Sequence, residues 1–251
     1  MNTAIDIQLL NRKLILPDLS IGQAIDIAKI PERFNERRIS ALIDHLSGEI
    51  GLAETLTVQE RYFALINYQM LANHRYSEDR NYEQYLLPTI ENEVPEVFDH
   101  PELPVSIQHL RGRHAVVLES KCEDIFDWLC GQMACQLYGE WPAQLTKDTE
   151  KEWEPLDLTM TENELSAKIF SRYELIIDLP ALNDGSFNEM FDVYAMMQWQ
   201  LTHLVDISND NNGITILPSI KGGDGDFEPA RFHPLADLEG TAKRLAELVA
   251  K

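Results

Sequence analysis

Three cysteines, Cys122, Cys130 and Cys135, lie within 14 residues, with His109 and His114 close by in sequence. Thiols and imidazoles at short spacing are the residue types that hold zinc or an iron–sulfur cluster. The spacing here is C-x₇-C-x₄-C. Helical periodicity places all three on one predicted helix over 119–139, where Cys130 is turned about 80° from Cys122 and raised about 12 Å, and Cys135 is turned about 220°. A single helix cannot converge them on one ion, and zinc prefers C-x₂₋₄-C pairs. The expected state is buried, reduced thiols, with Cys122, Cys130 and Cys135 kept only as weak metal candidates and no cofactor expected.

Other chemistry-bearing patterns fall short at the positions that define them. Asp206, Ser208, Asp210 and Asn212 look like the oxygen-ligand half of a calcium loop, but the glycine and glutamate positions are Asn211 and Leu217. The run Lys221-Gly222-Gly223-Asp224-Gly225-Asp226 has glycines but lacks the order of a phosphate loop, and it places aspartates where phosphate would sit. No histidine pair has H-E-x-x-H spacing, and no G-x-S-x-G elbow occurs. With 42 acidic residues, paired carboxylates carry no specificity. No catalytic residue is assigned, and the chain is read as a non-enzyme.

The aromatics point elsewhere. Tyr76, Tyr82, Tyr85, Trp141 and Trp153 sit in irregular, proline-punctuated stretches and are residue types that anchor protein interfaces. Tethering loops to the body of the protein is the equal alternative for them.

The elements that position these residues read as follows. Residues 6–10 and 13–17 alternate near period two around Asn11-Arg12, the pattern of a β-hairpin. Ser20 caps a helix whose stripe is Ile21, Ala24, Ile25 and Ala28, and a second helix over 31–46 sets Phe34, Arg38, Ala41, Leu42, His45 and Leu46 inward, with Glu32, Arg33, Glu36 and Arg37 solvated. Thr57 and Glu60 form a capping box opening a helix to about Asn73, with Val58, Tyr62, Leu65, Ile66 and Gln69 or Met70 inward. Residues 74–104 form a tyrosine-rich excursion. Strands are expected at 105–110 and 114–118, then the helix over 119–139 with Cys122, Ile125, Phe126, Leu129, Met133 and Leu137 inward, closed by Gly139. Capping boxes at Thr161/Glu164 and Ser186/Glu189 open two more helices, with a strand at 175–179 between them, a turn at 209–213, a strand at 214–217 and a terminal amphipathic helix over 234–250. The fold class is α+β, predominantly helical with short β-hairpins. Three parts are expected: an N-terminal lobe over 1–140, an acidic connector over 141–160 and a mainly helical lobe over 161–251.

Composition sets outer limits. A chain of 251 residues with 44% apolar content and only 12 glycines and 12 prolines buries a real core. Its net charge of −21 repels phosphate backbones and anionic lipid, so no nucleic-acid or membrane partner is expected. No apolar run has the length of a membrane span, and the first residues lack the pattern of an export signal.

Several segments resemble small tail proteins of tailed bacteriophages. They are Leu14-Ile15-Leu16-Pro17, then Leu19-Ser20-Ile21-Gly22-Gln23-Ala24-Ile25-Asp26-Ile27-Ala28-Lys29-Ile30-Pro31 and Arg33-Phe34-Asn35-Glu36; also Leu56-Thr57-Val58-Gln59-Glu60-Arg61-Tyr62 and Asp127-Trp128-Leu129, Gly131-Gln132-Met133-Ala134. They cover about a third of the chain. The resemblance implies a structural component of the distal tail, in the tail-tip or baseplate hub region, that docks on other tail or baseplate proteins in a hetero- or homo-oligomeric assembly. The location implied is the virion, and the host cytoplasm during assembly. The alternatives are a tail-assembly chaperone left out of the mature virion, or a cysteine-centred metalloprotein or enzyme. Some tail-tip proteins of this kind carry a four-cysteine iron–sulfur cluster, which three cysteines at this spacing do not reproduce.

Overall fold

The structure, a computed structural model, describes residues 4–73, 82–88, 94–140, 152–179, 186–219 and 229–234. It is α+β. The chain forms two compact units: Met1–Pro88 with Leu204–Ser208 and Thr215–Lys251, and Thr89–His203 with Asn209–Ile214. This division cuts across the expected three parts. The supposed connector contributes Trp153 to the second unit's sheet and core, because an acidic, proline-flanked stretch can still pair its backbone and bury its one large aromatic.

In the first unit, β1 (Ile5–Gln8) and β2 (Lys13–Leu16) pair antiparallel as the period-two pattern predicts, in the register Ile7 to Leu14 and Ile5 to Leu16. Their inner residues Ile7, Leu14 and Leu16 are buried, and Ile15 is left outside. Helix α1 (Ile21–Ala28) follows, then α2 (Asn35–Ser47), the short α3 (Leu52–Thr55) and α4 (Val58–Asn73). The hairpin lies on α2 and α4. Ile39, Leu42, Ile43 and Leu46 of α2 meet Val58, Tyr62, Leu65 and Ile66 of α4 in the core, all at most 4% exposed. The Asp44 carboxylate accepts from Gly51 N (2.7 Å) and Ala53 N (3.0 Å), which fastens the α2–α3 turn. A 3₁₀ turn at Tyr82–Tyr85 is stacked on Phe232, with ring centroids 5.7 and 5.0 Å away.

In the second unit, β3 (Val97–Asp99), β4 (Val105–Gln108), β5 (Leu137–Glu140) and β6 (Glu152–Trp153) form one antiparallel sheet in that order. Helices α5 (Gly112–Glu119), α6 (Ile125–Gln136) and α7 (Glu162–Ile177) pack together, and α8 (Ser186–Gln200) packs on β3 and β4. Strands β7 (Asp206–Asp210) and β8 (Gly213–Leu217) form a separate two-stranded sheet.

Four element assignments are corrected here. Residues 114–118 are helical, since His114, Ala115, Val117 and Leu118 are buried at helical spacing that a short apolar run also imitates as a strand. The helix predicted over 119–139 starts only at Ile125. Asp124 caps it, accepting from Phe126 N (2.8 Å) and Asp127 N (3.0 Å), and this turns Ile125 and Phe126 outward. Gly139 is a strand residue at φ +108°, where an added Cβ would stand 2.4 Å from the Pro104 carbonyl oxygen. The strand expected at 175–179 instead continues α7 to Ile177. The expected C-terminal helix lies outside the described residues.

Candidate functional site

The site emerges where α1 packs on α2. Ser20 caps α1 in a reciprocal box, with Gln23 N donating to Ser20 Oγ (3.2 Å) and Ser20 N to Gln23 Oε1 (2.9 Å). Polar clasps then hold the helix from behind. Gln23 Nε2 donates to the His45 carbonyl (3.1 Å), Leu19 N to Tyr68 Oη (3.3 Å), and Arg38 Nε to the Ile30 carbonyl (2.8 Å). Only Ile27 is buried on α1. At 100° per residue Ile21, Ile25 and Ala28 lie within about 60° of one another, while Ile27 lies about 120° from Ile21. The stripe predicted to face inward therefore faces solvent, with Ile21 78% and Ile25 51% exposed. The reason is that hydrogen bonds from Gln23 and Arg38, residues the periodicity does not weigh, decide which side of the helix is seated.

Behind this face is a buried polar cluster that sequence periodicity missed. Glu36, expected on a solvated face, is 2% exposed, and Arg61 is wholly buried. Arg61 Nη1 donates to Glu36 Oε2 (2.9 Å), and its Nη2 donates to the Glu36 carbonyl (2.6 Å) and to Ser40 Oγ (3.0 Å). Tyr62 Oη donates to Glu36 Oε1 at 2.6 Å, and its pKa is raised, first by burial and then by the Glu36 charge. Asn35 Nδ2 donates to the Phe232 carbonyl (3.1 Å), Asn35 Oδ1 meets His233 Nδ1 at 3.0 Å, and Gln69 Nε2 donates to the His233 carbonyl (2.6 Å). The capping box at Thr57 is present: Thr57 N donates to Glu60 Oε2 (2.9 Å) and Glu60 N to Thr57 Oγ1 (3.0 Å). The second oxygen of the same carboxylate accepts from Leu10 N (3.0 Å), so Glu60 ties the hairpin turn to the start of α4. These bonds make a rigid mount for α1.

The cysteines are placed differently from the single-helix expectation but are not assembled into a ligand set. Cys122 lies in the turn before α6, with Sγ 3.5 Å from where a Gly131 Cβ would stand, while Cys130 and Cys135 are buried on α6. Burial, with Asp127 and Asp124 adding to it, pushes the Cys122 thiol up to about 12 and Cys130 up to about 11. Burial raises Cys135 as well. All three are protonated at neutral pH, the form that neither attacks nor ligates well. Among the described residues no group of three or more His, Cys, Asp or Glu is arranged to hold a metal ion.

Of the proposed interface aromatics, Tyr82 and Tyr85 are 5% and 9% exposed under Phe232. Trp153 is 2% exposed beneath the Arg172 guanidinium, 5.2 Å from the ring, at a cleft of about 340 Å³ also lined by Glu152, Glu154, Lys168 and Ser171. The packing uses these three as internal tethers and removes them as exposed anchors. Tyr76 and Trp141 lie outside the described residues, as does the glycine-rich run from Lys221 to Asp226. The calcium-like segment from Asp206 to Asp210 is strand β7, and Asp210 accepts from Asn212 N at 2.7 Å in its turn. No helix among the described residues is long and apolar enough to cross a membrane. Compared with known proteins, the chain matches no family model, no curated sequence and no solved structure.

Proposed function

We propose that the protein is a docking component that works through protein–protein contact, with the outward face of α1 as an anchor. The observation that carries this is a capped helix, held by polar clasps, that presents Ile21 and Ile25 to solvent instead of burying them. A fully covered isoleucine is worth about 1.5–3 kcal/mol. Scaled by exposures of 78% and 51%, covering the pair yields about 2–4 kcal/mol.

The occupant is a different protein with an apolar groove and a basic rim. A second copy would bring another charge of −21 against this one, which repels it. An eight-residue helix is also only about 12 Å long. It supplies part of the roughly 800 Å² that each partner buries in a stable interface, so the rest must come from elsewhere on a larger heterologous contact. The segments resembling tail proteins support assigning this role to the distal tail of a tailed bacteriophage.

Two measurements test the proposal. Mass spectrometry of purified tailed particles is expected to find the chain in mature virions; presence only in assembling extracts would move it to the chaperone role, and absence from both would refute the tail assignment. Ile21→Ser with Ile25→Ser is expected to weaken binding to a basic tail protein by about 30- to 700-fold, the factor that 2–4 kcal/mol corresponds to. Unchanged affinity for every purified tail protein that binds the wild-type chain would refute the α1 face.

A further inference from the structure

The second unit contains two histidines that neither the docking role nor any metal chemistry uses. His109 follows β4 and His203 follows α8; each is 1% exposed, and their rings meet edge to face with centroids 5.1 Å apart. Their protons are assigned by their neighbours. The Pro95 carbonyl can only accept, so His109 Nε2, 3.0 Å from it, carries the hydrogen and Nδ1 keeps a lone pair. The Leu201 carbonyl, 2.8 Å from His203 Nδ1, likewise places the hydrogen on Nδ1. His109 Nδ1 is buried with no hydrogen-bond partner. That is tolerable for a lone pair and costly for an N–H, since a buried donor without an acceptor loses its full hydration.

The surroundings do not prepare for a cation. The groups that act on His109 are His203, Arg111 and Glu96. The Pro95 carbonyl and Glu96 favour a charged ring, but the carbonyl is already served by the neutral ring's Nε2–H, and Glu96 is 54% exposed and paired with Arg111 at 2.6 Å. On the elements packed around the pair, Asp99 of β3 accepts from Ser106 Oγ (2.6 Å), Tyr194 of α8 donates to Gln136 Oε1 (2.8 Å), and Tyr138 of β5 is engaged with Ser106. Glu189 and Asp192 of α8 and Glu140 of β5 are exposed to solvent. Burial accordingly holds His109 down to about 4 from its ordinary 6.5, with His203 the next cause.

Next to His203 the backbone is strained. Leu204 has φ +57°, and no other described non-glycine residue has a positive φ. A branched side chain held there is strained, and local opening would release that strain.

We propose that His109 and His203 form an acid-released latch, which holds the exit of α8 to the β3–β4 hairpin while the His109 ring is neutral and lets go when His109 takes up a proton. Above about pH 6.5 neither the open nor the closed form binds a proton on His109 and the latch is shut. Below it the open form, with a solvated His109 imidazole, binds a proton that the closed form refuses until about pH 4, so the opening equilibrium rises by up to about tenfold per pH unit over that window.

Amide hydrogen exchange of the full chain, corrected for intrinsic rates, reads the latch directly. Protection at 95–109 and 199–204 is expected to fall about 30-fold or more between about pH 6 and pH 4, while protection in α4 changes less. His109→Gln with His203→Asn keeps an amide N–H for each carbonyl but removes the titratable rings, and is expected to abolish that local fall. Should this variant not fold, NMR titration of the wild-type His109 decides: its ring is expected to stay neutral until protection is lost. Ordinary titration near pH 6.5 with protection intact, or an equally steep opening in the double variant, would overturn the latch.

Discussion

Replacing Arg61 by Met tests whether the cluster behind α1 is the mount we take it to be. Arg61 is wholly buried, and Glu36 is 2% exposed. Removing the cation leaves the carboxylate in a dry site with Tyr62 Oη as its remaining partner among the bonds described above, and strips donors from the Glu36 carbonyl and Ser40 Oγ. Breaking one side of a buried pair costs about 3–5 kcal/mol, and each orphaned acceptor contributes about 1 kcal/mol to such a loss. Glu36→Gln retains the shape but leaves the guanidinium without its counter-charge, so it falls at the lower end of that range. The double variant removes both charges of this pair. It should cost at least about 2 kcal/mol less than the two single losses taken together, because that excess is the coupling between the residues.

Equilibrium urea unfolding, followed by far-ultraviolet circular dichroism and by amide exchange in α2 and α4, measures all three variants. Exchange is needed because Trp128, Trp141, Trp153 and Trp199 all belong to the second unit, so fluorescence is blind to the first. An Arg61→Met loss below about 1 kcal/mol, or a double variant whose cost equals the sum of the singles, would refute the buried-pair reasoning.

Further outcomes follow from particular contacts. Gly139→Ala should lose at least about 2 kcal/mol in thermal or urea unfolding, because φ +108° is hostile to a side chain and the new Cβ would collide with the Pro104 carbonyl; a neutral result would contradict the β4–β5 geometry. Cys122 and Cys130, with pKa values of about 12 and about 11, should react with a thiol-specific disulfide reagent at mildly alkaline pH at least tenfold more slowly in the native chain than in urea. Equal rates would show that the thiols are open. His114 is fully buried and held down to about 3 by desolvation, then by Arg111, Arg113 and Arg172. Its folded pKa lies below the unfolded value, so stability is complete above about pH 6.5 and falls as pH drops toward 3. His114→Gln should flatten that slope by about 1.4 kcal/mol per pH unit, read from urea midpoints at several pH values; an unchanged slope would remove His114 from the acid response.

The parts of the fold legible in the sequence are those governed by local chemistry. The hairpin follows from alternation near period two around Asn11-Arg12, the start of α1 from the Ser20 N-cap, and the starts of α4 and α7 from a threonine paired with Glu three residues on, each seen as a capping box. The inner face of α4 was also legible, because Val58, Tyr62, Leu65, Ile66 and Gln69 repeat at helical spacing with a strong start signal. What failed was decided over distance. Glu36 looks solvated until Arg61, 25 residues away, is brought to it, and Ile21 looks buried until Gln23 finds the His45 carbonyl. The short run Ala115 to Leu118 has too few residues to separate a strand period from a helix period, and Asp124 was read inside a helix that it starts. The site was the least legible part because pairwise polar contacts turn α1 over, and apolar periodicity carries no term for them.

The distribution of polar and apolar groups is the ground on which we propose docking. Catalytic groups are tuned so that the reactive form is populated near the working pH; here the shifts run the other way. The thiols are raised, His109 and His114 are lowered, and the Tyr62 and Tyr194 hydroxyls are raised, each mainly by burial. The thiols and hydroxyls are held in their uncharged, less nucleophilic form, and the two imidazoles are held neutral with pKa values far below the working pH. The first unit meanwhile places Glu36 and Arg61 inside and leaves Ile21 and Ile25 outside. Scattered exposed isoleucines are ordinary, but two on one helical face, seated there by clasps from Gln23 and Arg38, form an oriented surface. Turning α1 over would bury that face and break those clasps, so the helix is committed to presenting it. In the proposed docking role, the stabilisation forgone, about 2–4 kcal/mol, is recovered when a partner covers the face.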